Sequence, residues 1–111
     1  MASYYELQIR CNIDEKQKIE NILGISSREY QSDWYQIIEE GSSDFLHALD
    51  KFTSTIEGNL SELKSLGIKE EQISFWYMYE YEQQCNMEFD PNIMKRMGDI
   101  GVTLCISCWE K

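Results

Sequence analysis

The stretch Glu88–Trp109, EFDPNIMKRMGDIGVTLCISCW, places the tightest limits on the fold, because it contains a helix start, a helix stop and a strand in 22 residues. Asp90 is a favoured N-cap, and Pro91, the only proline, suits a first helical turn where the missing N–H costs nothing. Ile93, Met94 and Met97 predict an apolar helical stripe. Gly98 and Gly101 bracket the exit, since glycine is enriched just past a helix C-terminus. Val102, Leu104, Ile106 and Cys108 then alternate with Thr103, Cys105, Ser107 and Trp109, the period of a half-buried strand. A chain ending on such a strand should insert it into a sheet built from earlier segments.

Those earlier segments are legible. Tyr4 to Ile13 predicts a first strand, with Tyr5, Leu7, Ile9, Cys11 and Ile13 in one row and Tyr4, Glu6, Gln8, Arg10 and Asn12 in the other. Asp14 is the expected cap of a first helix, with Gln17 as its capping-box partner. Ile19, Ile22 and Leu23 give that helix a buried side, and Gly24 ends it. Ser26 to Ser32 reads as a loop, Asp33–Ile38 as a strand, and Glu39–Ser43 as a turn. Phe45, Leu49, Phe52, Ile56, Leu60, Leu63 and Leu66 recur every three or four residues, predicting a long core-facing helix begun by Ser43 or Asp44. Gly58-Asn59 is expected to break or bend it, and Gly67 to end it. Ile73 to Tyr81 predicts a third strand, bulky on both faces as a central strand would be. Glu82-Gln83-Gln84 should turn it into a fourth strand, Cys85–Phe89, as a hairpin. The expected fold is α+β: one domain over residues 1–111, in the order β-α-β-α-β-β-α-β. Its simplest form is one mixed, mainly antiparallel sheet with helices packed on one face. At 111 residues the chain buries roughly 65% of its unfolded surface, enough for one core without disulfides or metal staples.

Charge bears on function more directly. Twenty acids face ten bases, a net charge of −10, which argues against partners rich in phosphate, whether nucleic acid or anionic membrane. No apolar run approaches the ~20 residues that span a bilayer, and Met1-Ala2-Ser3 leads straight into strand-like sequence without a secretory leader, so a cytosolic location is expected. Cys11, Cys85, Cys105 and Cys108 are then expected as reduced thiols. Cys105 and Cys108 have C-x-x-C spacing, but residues three apart on a strand point to opposite faces and should share neither a metal nor a disulfide. No second Cys or His pair completes a zinc site, and no metal or cofactor is expected. His47, the only histidine, lies between Phe45 and Leu49 and reads as a partly buried structural residue. Without a second histidine, histidine-pair acid–base chemistry is excluded. Glycine-rich phosphate loops and a G-x-S-x-G elbow are missing. The chain is therefore read as a non-enzyme, with a carboxylate-pair enzyme and a small-molecule sensor as the rival readings.

Two windows combine acids with aromatics. Between Arg28 and Lys51 every charged residue is acidic, and the window holds Trp34 and Tyr35. Between Lys69 and Lys95 the same is true, around Trp76, Tyr77, Tyr79 and Tyr81. Aromatics supply contact energy and cation–π partners for Lys and Arg, while carboxylates steer and pair. The expected partner-binding residues are Trp34, Tyr35, Glu39, Glu40, Asp44, Trp76, Tyr79, Glu80 and Glu82. The alternative is that the acids form a solvated face and the aromatics the core.

Ile22-Leu23-Gly24-Ile25, then Trp34, the Phe45–Leu66 helical stretch, and the tail from Cys85-Asn86-Met87-Glu88-Phe89-Asp90-Pro91 through Ile100–Trp109 resemble a family of small bacterial domains of unknown function. Its members share an LG after the first helix, a late helix led by a polar-Pro pair, and a terminal strand ending in an aromatic, usually Tyr and here Trp109. The resemblance spans nearly the whole chain and is most specific in the last quarter. Members look like immunity proteins of polymorphic toxin and contact-dependent inhibition systems, and the family has no catalytic motif to carry over. The resemblance implies a toxin-neutralising protein whose partner is a cognate toxin domain. A nuclease toxin has a basic substrate cleft, to which an acidic plug is complementary.

Overall fold

The computed structural model describes residues 3–27, 33–39, 45–84 and 86–111, with residues 45 and 46 described by backbone alone. Among the described residues four strands and three helices alternate: β1 (Tyr4–Ile9), α1 (Ile13–Leu23), β2 (Trp34–Glu39), α2 (Phe45–Leu66), β3 (Ile73–Tyr81), α3 (Pro91–Ile100) and β4 (Thr103–Glu110). The strands form one sheet in the order β2-β1-β3-β4. β1 is antiparallel to both β2 and β3, and β3 is parallel to β4. This is the expected α+β, mainly antiparallel mixed sheet.

Register separates the two faces. Ile9 lies opposite Trp34 and Ile73, Leu7 opposite Gln36 and Phe75, and Tyr5 opposite Ile38 and Tyr77. Tyr5, Leu7, Ile9, Trp34, Ile73, Phe75 and Tyr77 are all buried, and they form one core with Ile19 of α1, Leu49, Phe52, Ile56 and Leu63 of α2, and Ile93, Met97 and Ile100 of α3. The opposite row of every strand contributes nothing to that core. The three helices therefore cover one face, with α2 in the middle against α1 and α3. Arg96 of α3 fastens that helix layer: its guanidinium donates to Asp50 at 2.6 Å, to Glu57 at 2.9 Å and to Ser54 at 3.0 Å, all on α2.

Local chemistry explains most boundaries. Asp90 accepts from the Asn92 N–H, Pro91 opens α3, and Gly101 closes it at φ 73. Ile100, not Met94, completes the buried stripe of α3, and Met94 is exposed. α1 starts two residues earlier than expected. Asn12, not Asp14, is its N-cap, accepting from the Glu15 N–H at 2.8 Å while the Glu15 carboxylate accepts from the Asn12 N–H at 3.0 Å. That reciprocal pair satisfies two N–H groups at once and outcompetes the Asp14–Gln17 alternative. It also ends β1 at Ile9 rather than Ile13. A 3₁₀ turn at Glu70–Gln72 reinforces the exit, because the Gln72 side chain donates to the Arg10 carbonyl at 2.7 Å.

Three further expectations are corrected. α2 runs unbroken through Gly58-Asn59 to Leu66. The Asn59 amide donates to the Thr55 carbonyl at 2.8 Å, and burial of the stripe on both sides outweighs the ~1 kcal/mol glycine penalty. No fourth strand forms in the described part of Cys85–Phe89. Both edges of β3 are taken, by β1 and β4, so a hairpin partner has no place to pair. Instead Gln83 turns the chain at φ 63, and Met87 packs against the core on the way to Asp90. His47 is exposed on α2 rather than partly buried. Glu39, expected to open a turn, is instead the last residue of β2, carried there by its pairing with Tyr4. The start proposed for α2 at Ser43 or Asp44, the remainder of that turn at 40–43, the loop residues 28–32 and Cys85 lie outside the described residues.

Candidate functional site

The face of the sheet turned away from the helices is the candidate site. Because parity is fixed along each strand, three cross-sheet rows can be read from the register. The first is Tyr35–Gln8–Ser74–Thr103. The second is Ile37–Glu6–Trp76–Cys105, and the third Glu39–Tyr4–Met78–Ser107. Glu80 and Trp109 pair at the far end. With strands ~4.8 Å apart and ~3.3 Å per residue, this platform measures roughly 20 by 25 Å. It carries the carboxylates of Glu6, Glu39 and Glu80, and no Lys or Arg stands in any of these rows.

Hydrogen bonds fix the side chains of the first row. The Trp76 indole N–H donates to Ser74 Oγ at 2.9 Å, and Ser74 donates to Gln8 Oε1 at 3.4 Å. The Gln8 amide donates to Tyr35 OH at 3.1 Å, which donates in turn to Asp33 at 3.5 Å. The relay crosses β3, β1 and β2 and ends on a carboxylate. At the far end the Trp109 indole N–H donates to Glu80 Oε2 at 3.3 Å. Ring edges are thus held by protein partners. Burial pushes the Tyr35 phenol up, with the nearby charges of Asp33 and Glu6 acting the same way.

Glu6 is the central carboxylate. Ile37 and Trp76 flank it across the two strand pairings. Burial by these neighbours pushes its carboxyl above the ordinary value. Among the described residues, no hydrogen bond or ion pair engages its side chain.

Set against family models, curated proteins and solved structures, the chain has no match.

The nine residues expected to bind a partner divide by strand parity. Tyr35, Glu39, Trp76 and Glu80 share the uncovered face. Glu82 lies just past β3, exposed, 3.7 Å from the Lys111 ammonium. Trp34 belongs elsewhere: it is fully buried under the helices, and its indole N–H donates to the Ile25 carbonyl at 3.3 Å. Its register opposite Ile9 puts it on the core side. Tyr79 is also on the helix side, packed against the core and stacked along Tyr77 at 5.0 Å and Tyr81 at 6.3 Å. Glu40 and Asp44 lie outside the described residues. Tyr4, Glu6, Ile37, Met78 and Trp109 are not among the residues expected to bind a partner, although alternation places Tyr4 and Glu6 in the more polar row of β1.

Other chemistry finds little footing. Cys105 lies beside Trp76 on the uncovered face, and Cys108 beside Tyr79 on the other, so the C-x-x-C pair is split as its strand setting requires. Both are free thiols, and burial pushes Cys105 up, away from a reactive thiolate. Among the described residues no group of three His, Cys, Asp or Glu side chains is gathered to hold a metal ion, and no helix is long and apolar enough to cross a membrane. An open hollow of about 360 Å³ lies at the end of β3, lined by Tyr79, Tyr81, Glu80, Glu82, Gln84 and Lys111.

Proposed function

We propose that this chain is an immunity protein that neutralises a toxin domain in the cytosol by binding it, with the uncovered sheet face as the docking surface. The carrying observation is that face itself: aromatic and acidic, without Lys or Arg in the three cross-sheet rows, and backed by the packed core. A standard protein interface buries about 800 Å² per partner. A platform of roughly 20 by 25 Å with its rim approaches that size. Trp76, Tyr4 and Tyr35 would provide contact area, with Glu6, Glu39 and Glu80 setting orientation and speeding encounter. The partner so described is basic, and a nuclease domain is the kind of toxin whose substrate cleft has that charge. Inhibition would be by occupation of the cleft, without turnover.

The test is co-expression with the C-terminal domain encoded by the adjacent gene. The expected result is restored growth and a complex that co-purifies, with slower association at 1 M salt, where the Debye length falls to ~3 Å. A domain that is toxic yet neither bound nor neutralised by this chain would overturn the reading.

A further inference from the structure

We propose that Glu6 is a seat for one arginine side chain of the basic partner, whose guanidinium pairs with the Glu6 carboxylate beside Trp76. The inference rests on the docking reading above and goes further by naming the group that is recognised. β1 is an interior strand, so Glu6 stands near the middle of the platform rather than on its rim. Its direct neighbours, Ile37 and Trp76, offer it no cation. Opposite residues in such pairs have Cβ atoms ~5 Å apart, so a group bound at Glu6 is within reach of the Trp76 ring. The Trp76 N–H is already given to Ser74, and the Gln8 amide to Tyr35, so neither is committed to Glu6.

A carboxylate held partly out of water without a donor is an unfavourable element of a fold. Ile37 and Trp76 would pack at least as well around an apolar residue there. A position that sacrifices stability in this way fits a recognition role, because part of the dehydration cost of pairing is already met before the partner arrives. The chemistry that fits is a planar cation with parallel N–H donors that also favours an aromatic face. Guanidinium has both properties; the ammonium of lysine is a more strongly hydrated point charge and lacks the fork. Phosphate-bearing partners are repelled by Glu6, Glu39 and Glu80 alike.

The test uses the folded full chain and capped Gly-Arg-Gly and Gly-Lys-Gly peptides, titrated to tens of millimolar and followed by the Trp76 indole resonance. Variants are Glu6→Gln and, as a charge-matched control on the exposed side of α2, Glu62→Gln. The expected result is binding of the arginine peptide several-fold tighter than the lysine peptide, a loss of about tenfold in Glu6→Gln, and no change in Glu62→Gln. Equal response to both peptides, no response to either, or equal weakening by both variants would overturn the seat. Thermal melts confirm that Glu6→Gln is folded. The same variant in the co-expression assay separates the two readings. If the wild-type chain captures its toxin domain and Glu6→Gln does so undiminished, the seat is wrong and the docking reading stands. If peptide binding singles out Glu6 while no toxin domain is captured, the seat stands and the immunity reading falls.

Discussion

Trp34 and Trp76 occupy opposite faces of one sheet, on the two strands that flank β1, and replacing each with alanine should have opposite consequences. Trp34 is fully buried and its N–H is satisfied by the Ile25 carbonyl. A tryptophan buries ~200 Å², worth about 5 kcal/mol at ~25 cal/mol per Å². Measured truncations of buried aromatics cost about 3–5 kcal/mol, so Trp34→Ala is expected to lose about 4 kcal/mol. For a chain of 111 residues the total stability is about 6–17 kcal/mol, so the variant folds but melts roughly 15–25 °C lower. Trp34→Phe, which keeps most of the volume but deprives the Ile25 carbonyl of its donor, should lose about 1–3 kcal/mol. Trp76 is half-buried on the uncovered face, and alanine there removes cross-strand contacts worth about 1 kcal/mol. The same change should weaken a complex made on that face by about 2 kcal/mol or more, some 30-fold. Urea unfolding followed by far-UV circular dichroism measures the first effect without depending on tryptophan emission, and titration of the captured partner measures the second. If Trp76→Ala destabilised the chain as much as Trp34→Ala while leaving binding intact, the assignment of the two faces would be refuted.

Glu6→Gln should raise the melting temperature at pH 7, since the native state holds the Glu6 proton more tightly than the unfolded chain does. Stability lost to Glu6 ionisation accumulates as pH rises from the ordinary value of 4.5 through the raised native value, so the advantage of the variant should vanish below about pH 4. Glu39 and Tyr35 on β2, Tyr4 on β1, Glu80 on β3 and Cys105 on β4 are the other titratable groups on the same face, and the variant keeps all of them, so the comparison isolates Glu6; a constant difference across pH 4–7 would contradict the assignment. Gln36 faces the core beside Leu7, and its Oε1 is buried without a hydrogen-bond partner among the described residues. Gln36→Met keeps the shape and removes that oxygen, so the urea midpoint should rise by the equivalent of about 1 kcal/mol with an unchanged slope. Gly101 sits at φ 73 with an added Cβ only 3.0 Å from Glu70 Cγ, so Gly101→Ala should cost at least ~1–2 kcal/mol in the same assay.

Legibility in the sequence tracked how local the deciding physics was. Asp90-Pro91 and Gly101 marked both ends of α3 because cap and stop are set within a few residues. The Phe52, Ile56 and Leu63 stripe and the limits of β3 were readable for the same reason, since each repeats one period over many residues. Where two local solutions competed, the stronger was not evident from spacing alone. Asn12–Glu15 beat Asp14–Gln17 through a reciprocal pair that also sets where β1 stops. In the described part of Cys85–Phe89 the expected strand fails for a reason no local pattern contains: β4, which follows only after α3, occupies the edge of β3 that a hairpin would need.

The candidate site shows the same division more sharply. Alternation told which residues of a strand travel together, so Trp76 was correctly grouped with Met78 and Glu80 as one row, whereas Glu39 was expected in a turn and joins the row of Tyr35 only because β2 runs one residue further. It did not tell which row faces the helices when both are rich in aromatic or branched side chains, as in β2, where Trp34 and Ile38 alternate with Tyr35 and Ile37. Only pairing with β1 decides it. Ile9 and Leu7 are unambiguous core residues, and Trp34 opposite Ile9 must follow them inward. The same pairing brings Glu6 out among Ile37 and Trp76, from three segments separated by more than 30 residues each. As one of twenty acids, Glu6 carries no signal in the sequence. It becomes distinctive only when the sheet assembles around it, because what singles out a carboxylate is the absence of a nearby cation in a partly dry setting, and both conditions are properties of the neighbours.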